Sequence, residues 1–210
     1  MFKKTAESVS PKHPDKLCDQ ISDAILDAHL KKDPQARVAV ETCGGHGLVF
    51  VVGEITSLAD NIDIPKIVHR IAGPNLKVQT KIVQQSPEIA GGVDLGGAGD
   101  QGIMTGYACS ETPEFLPTEV VLSRRLNQAI FKKYPYDGKT QVTLDADGKI
   151  DSIVASFQNA PKAKLEAIVK NFIKHHNLKG QPSLHLNPAG DWQQGGFDAD
   201  TGLTGRKLIV

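Results

Sequence analysis

Net charge is what this sequence lacks: among 210 residues, 24 basic side chains are balanced by 24 acidic ones. A neutral balance argues against broad nucleic-acid or membrane-surface binding, both of which need a basic face. No apolar run approaches the ~18 residues of a transmembrane helix. The opening "MFKKTAESVS" carries basic residues with no apolar segment behind them, so no secretory signal is expected. Cysteine is scarce. Cys18, Cys43 and Cys109 are odd in number, widely spaced and form no C-x-x-C pair, which argues against a disulfide framework or a zinc knuckle. A reducing cytoplasm is the expected setting.

Hydrophobic residues make up 40% of the chain, enough for one large domain or two small ones. Leu17, Ile21, Ala24, Ile25 and Ala28 recur at helical spacing, so residues 14–32 read as an amphipathic helix with Pro14 in its first turn. "ARVAVETC" and "GLVFVVGEIT" read as a hairpin around Gly44-Gly45-His46-Gly47. A short helix, "IPKIVHRIA", and a strand, "LKVQTKIVQ", follow. Residues 86–102, "SPEIAGGVDLGGAGDQG", read as a long glycine-rich loop. Beyond it come a helix, "TEVVLSRRLNQAIFKKY", a hairpin turning at Asp145-Ala146-Asp147-Gly148, a helix, "KAKLEAIVKNFIKHH", and a strand, "SLHLNP". The last five residues, "RKLIV", look like a strand. Hairpins mixed with long helices indicate an α+β fold rather than a βαβ winding.

Several features are false friends or ordinary surface. Gly97-Ala98-Gly99-Asp100-Gln101-Gly102 matches G-x-G-x-x-G, but no strand precedes it and no helix opens within it, so a dinucleotide fold is not expected. "DADG" lacks the further oxygen ligands of a calcium loop. Arg124, Arg125, Lys132 and Lys133 read as the wet side of a helix, and His175-His176 as a favourable charge at a helix C-terminus. Asp23 and Asp27 read as a solvated face. The turn "SPKHPDK" is harder to dismiss. His13, Asp15 and Lys16 crowd one helix start, where a solubility patch and a polyphosphate site bridged by Mg²⁺ are both open readings. Trp192, the only tryptophan, lies between glycine-rich pieces, where core packing and stacking against a ring compete.

Several separated stretches then fall in one order: "ESVSPKHPDKLCDQISDAILDA", "VAVET", "VGEIT", "QQSPEIAGGVD", "GAGDQGIMTGYA", "DGKTQVTLD" and "GLTGRKLIV". Together they resemble the S-adenosylmethionine synthetase (methionine adenosyltransferase) family over nearly the whole chain. The resemblance implies an α+β fold of pseudo-repeated sheet-and-helix units, here two units plus the start of a third. Those would span 1–96, with a gating loop at 86–97, then 97–195, then 196–210. It implies transfer of the adenosyl group of ATP to the sulfur of L-methionine, with cleavage of the triphosphate to pyrophosphate and phosphate. It implies Mg²⁺ and K⁺ as cofactors, and a homodimer or higher oligomer with the site between subunits. No nucleic-acid or membrane partner is expected. A non-catalytic or split-subunit nucleotide-binding partner is the alternative.

The family's roles carry over position by position. His13, Lys139, Arg206 and Lys207 would be catalytic through the phosphates. Asp137, Gly138, Asp191, Trp192 and Asp200 would join them in holding ATP. Glu54, Gln85, Asp100 and Asp200 would hold methionine. Asp15 would take Mg²⁺ and Glu41 would take K⁺. Three departures stand beside these matches. The family continues past the point where "GLTGRKLIV" ends, "VDLGGAGDQG" makes a short gate, and Asp191 replaces an arginine usual before the aromatic residue.

Overall fold

The computed structural model of the chain describes residues 2–207. In chain order its elements are β1 (Lys4–Val9), α1 (Pro14–Leu30), β2 (Arg37–Gly45), β3 (Leu48–Thr56), α2 (Ile64–Ala72), β4 (Lys77–Val83) and α3 (Pro87–Asp94). Then come α4 (Thr118–Phe131), β5 (Gly138–Leu144), β6 (Ile150–Phe157), α5 (Lys162–His175), β7 (Ser183–Leu186), a 3₁₀ turn at Gly196–Asp198 and β8 (Gly202–Leu203). Two compact units share these elements. One takes the described chain up to His13 plus Tyr107–Ala199; the other takes Pro14–Gly106 plus the described residues from Asp200 on.

The two units repeat one topology. In each, a helix leads into an antiparallel hairpin, a second helix crosses over, and a strand parallel to the hairpin's second strand follows. The first unit runs α4, β5–β6, α5, β7, and the second runs α1, β2–β3, α2, β4. A short strand from a distant part of the chain then adds antiparallel to the hairpin's first strand. That strand is β1 beside β5 in the first unit and β8 beside β2 in the second. The sheet orders are therefore β1-β5-β6-β7 and β8-β2-β3-β4. Strand pairing thus cuts across contiguous boundaries at 96 and 195. The α+β assignment stands, with one parallel crossover per sheet that the hairpin signals alone did not announce.

Side-chain periodicity explains most elements. In the first unit Ile153, Ala155 and Phe157 alternate inward along β6, and meet Leu126 and Ile130 of α4 and Leu165 and Val169 of α5. In the second, Leu17, Ile21 and Ile25 repeat every four residues along α1 and are buried, as are Val49 and Val51 of β3. Asp23 and Asp27 are exposed.

Three local expectations change. Pro87–Asp94 is a helix, not loop: Ser86 Oγ accepts the Ile89 N–H at 3.4 Å, Pro87 opens the first turn and Glu88 follows. That start signature outweighs the cost of Gly91 and Gly92. No α3 side chain is buried. The strands β1 and β8 were not anticipated, because β1 is an edge strand with no buried side chain and β8 is two residues long. The strand expected for "RKLIV" lies partly outside the described residues, while Arg206 and Lys207 belong to no regular element.

His29, in the last turn of α1, is buried, and among the described residues its Nδ1 has no hydrogen-bond partner. Burial pushes its pKa below the ordinary imidazole value, against the pull of Asp33. The folded chain therefore resists protonation that the unfolded chain accepts below about pH 6.5, so stability falls as pH drops from there towards the depressed folded value. Denaturant titrations between pH 7 and 5 should show wild type losing stability relative to His29→Gln, by at most ~1.4 kcal/mol per pH unit. Parallel profiles would mean that the imidazole ionises without penalty.

Candidate active site

The second unit gathers one group of predicted residues around the start of α1. Pro14 fits the first turn, where a missing N–H costs nothing. Asp15 follows it and is 1% exposed. Its Oδ1 accepts the Leu203 N–H at 3.0 Å, and its Oδ2 accepts Lys207 Nζ at 2.5 Å. Arg206 Nε lies 3.6 Å from Oδ1. Burial alone would push the Asp15 carboxyl up. The Lys207 and Leu203 hydrogen bonds, with the charges of Lys207 and Arg206, outweigh it and leave the pKa below the ordinary carboxylate value.

The sequence makes this approach possible at Gly202. A Cβ there would stand 2.2 Å from the Pro14 carbonyl and 2.6 Å from the Asp15 nitrogen, so any other residue would push β8 off the helix start. Thr204 then fixes the strand. Its N–H donates to the Thr42 carbonyl at 2.9 Å, its Oγ1 accepts the Thr42 N–H at 2.8 Å, and its hydroxyl lies 3.0 Å from Ser22 Oγ. Asp19 accepts the Gly205 N–H at 2.9 Å and pairs with Lys16 at 2.9 Å. The "GLTGRK" and "PDK" segments are thus one cluster.

Other predicted residues of this unit stand apart from that cluster in their bonding. Glu41 lies exposed on β2, opposite Val52. Glu54 is half-buried on β3, opposite Ala39. Gln85 Oε1 accepts Arg37 Nε at 3.3 Å, and the same guanidinium bonds Asp94 at the end of α3 at 2.8 Å. Arg37 escaped the sequence reading because nothing in "QARVAV" marks a partner 48 residues away. Asp100 and Asp200 are exposed, each accepting the N–H of the next residue at 2.7 Å.

The first unit gathers a second group. His13 is buried, and its N–H donates to the Ser10 carbonyl at 3.1 Å. Ser10 in turn donates its N–H to the Gly138 carbonyl at 2.8 Å, which ties the turn before His13 to the start of β5. Gly138 has no room for a side chain, since a Cβ would stand 2.4 Å from the Phe157 ring. Asp137 is buried and its Oδ2 accepts the Gly196 N–H at 3.0 Å. Lys139 is exposed beside it on β5, opposite Val9.

Trp192 is half-buried and its Nε1 donates to Ser156 Oγ at 3.1 Å. Gln158 links the group: its Oε1 accepts the Asp137 N–H at 3.3 Å and its Nε2 donates to the Gln193 carbonyl at 2.7 Å. Asp191 is engaged in holding structure, its Oδ1 accepting Asn187 Nδ2 at 3.0 Å and the Lys162 N–H at the start of α5 at 3.0 Å. Sequence reasoning missed Ser10 and Gln158, whose roles are visible only once the strands pair.

Among the described residues no group of three or more His, Cys, Asp or Glu side chains could hold a metal ion. Mg²⁺ is often held through only one or two carboxylates plus substrate phosphates. Asp15 is one such buried carboxylate, and it fits that mode once Lys207 and Arg206, which now occupy its oxygens, turn to the phosphates. For K⁺ the match is poorer, because Glu41 offers one carboxylate on an exposed strand face.

Comparison with known proteins decides the family. The model of the S-adenosylmethionine synthetase N-terminal domain matches residues 1–73, and that of the same family's central domain matches residues 95–192. The chain belongs to the S-adenosylmethionine synthetase family. An S-adenosylmethionine synthase from Clostridium tetani (strain Massachusetts / E88) is 40% identical to it, over 98% of this chain and 64% of the relative. The chain thus spans just under two thirds of that synthetase's length.

Within this synthetase-family chain, Asp15 is the anchor of the second unit's cluster. Asp15→Ala should speed amide hydrogen exchange at Leu203 by roughly tenfold to a hundredfold, since a hydrogen bond to a charged group is worth about 1.5–3 kcal/mol. Exchange at Val51, in the core of β3, should stay unchanged. Unaltered protection at Leu203 would show that β8 is held by Thr204 alone.

Proposed function

We propose that this chain carries out, or contributes to, methionine adenosyltransferase chemistry. It would transfer the adenosyl group of ATP to the sulfur of L-methionine and cleave the triphosphate to pyrophosphate and phosphate. The observation that carries this reading is the fold-back of Arg206 and Lys207 onto the buried Asp15. It joins "PDK" and "GLTGRK", two stretches that carry the family resemblance, into one charged group.

The chemistry asks for such a group. A thioether sulfur has no proton to lose, so its attack on the ribose C5′ needs no general base. The barrier lies in charge developing on the departing triphosphate, which fixed cations stabilise. Lys207 and Arg206 would turn from Asp15 to the triphosphate when it arrives, and Lys139 would add a third cation. His13 would contact the oxygen on the C5′ side as the bond breaks. Asp15 would hold Mg²⁺, which when bound neutralises part of the polyphosphate charge. Asp137, Gly138 and Trp192 would seat the nucleotide, while Asp191, bound to Asn187 and Lys162, would reach it only by releasing them.

Glu54, Gln85, Asp100 and Asp200 would serve methionine, with Arg37 positioning Gln85. Glu41 would take K⁺. α3, within the expected gate at 86–97, has no buried side chain to anchor it, which suits a segment that opens and closes. We further propose a homo-oligomer, in the cytoplasm, whose subunits share the site.

Incubating the purified chain with ATP, methionine, Mg²⁺ and K⁺ should yield S-adenosylmethionine, pyrophosphate and phosphate. Product only on adding the C-terminal domain of a related synthetase would make the chain a split-site partner. Nucleotide binding without product in either condition would make it a binding subunit. His13→Ala should lower turnover by roughly 10²–10³-fold while ATP affinity changes little, because its contact strengthens as charge develops. Equal loss in both would reassign it to ground-state binding.

Trp192→Ala should weaken ATP binding by about 1–3 kcal/mol, the range for a base stacked on an aromatic ring. Unchanged affinity would return the indole to a packing role.

A further inference from the structure

A cleft of about 500 Å³ opens between α4 and α5 in the first unit, within the range of small-ligand sites. Its floor is apolar, with the buried Ile168 and Phe172 at the base. Its rim is basic: Arg125 and Lys133 from α4 and the turn after it, Lys164 from α5, and His175 with His176 where α5 ends. Among the described residues no carboxylate lines it. Glu114 pairs with Arg125, but among the described residues neither Lys133 nor Lys164 has an ion-pair partner. The neutral chain has thus placed unpaired positive charge around one apolar concavity.

The inner wall is ordered. The His176 ring lies 4.4 Å from the Phe172 ring, centre to centre, and 5.1 Å from His175 in an edge-on arrangement. Burial, then the charges of His175 and Arg125, hold the His176 pKa below the ordinary imidazole value.

We propose that this cleft binds a small phosphate ester, its apolar or aromatic body on Ile168 and Phe172 and its phosphate against Lys133, Lys164 and Arg125. An anion without a body would leave the floor wet. An apolar molecule without a phosphate would leave the rim uncompensated. None of these residues belongs to either candidate active-site group, so the site would be an additional one.

The test is NMR titration of the full chain with phenyl phosphate, following the His175 and His176 ring signals. Saturable shifts are expected, with inorganic phosphate and phenol each binding at least about fivefold more weakly. Lys133→Glu with Lys164→Glu should weaken phenyl phosphate at least tenfold, with the amide spectrum otherwise preserved. Lys133→Gln with Lys164→Gln serves the same purpose should the reversal disturb folding, and both pairs lie exposed at the rim. Unmoved ring signals, equal affinity for inorganic phosphate or phenol, or undiminished binding by the lysine variants would each overturn the proposal.

Discussion

The buried carboxylate of Asp15 is the constraint on which the second unit's charged cluster depends. A carboxylate at 1% exposure is costly to bury unless each oxygen finds a partner. Here the partners come from residues 203 and 207, almost two hundred positions later. Solving the solvation problem of one side chain therefore fixes where a distant segment must lie. Gly202 allows the approach, and Thr204 completes it through backbone-like bonds to Thr42. A two-residue strand has little stability of its own. Its position is held by polar satisfaction, not by apolar burial.

The repeated topology gives each unit the same need and two different solutions. Each sheet has an open place beside the first hairpin strand, and each fills it with a strand from elsewhere in the chain. In the first unit the added strand is six residues long, and it leads directly to Ser10 and His13. In the second it leads to Arg206 and Lys207. The same architectural slot thus delivers the family's motif residues in both units. Asp191 shows the reverse economy: at a position where the family resemblance implies an arginine, a carboxylate organises the start of α5 through Asn187 and Lys162.

What was legible in the sequence follows from what periodicity reports. α1, α4 and α5 bury apolar stripes, and β5 and β6 alternate, so their patterns announced them. α3 buries nothing, and only its Ser86-Pro87-Glu88 start could have revealed it. β1 and β8 are edge strands held by backbone pairing, which leaves no trace in a hydrophobic pattern. The motifs named the charged residues but not their bonds. That Asp15 meets Lys207, that Arg37 bridges Gln85 and Asp94, and that Gln158 ties Asp137 to the Trp192 loop are matters of tertiary approach. Spacing along the chain carries no information about them.

The late position of β8 sets an order of events during translation. Helix α1 and the hairpin β2–β3 leave the ribosome long before Gly202, and they can collapse around Leu17, Ile21 and Val51 without it. Asp15 must then wait, hydrated or paired with something temporary, until residues 203–207 emerge. The charged cluster therefore closes only after residues 203–207 are free, well after apolar packing of α1 against β2–β3 can begin, and a chain released before residue 203 would keep the Asp15 carboxylate without its amide and lysine partners.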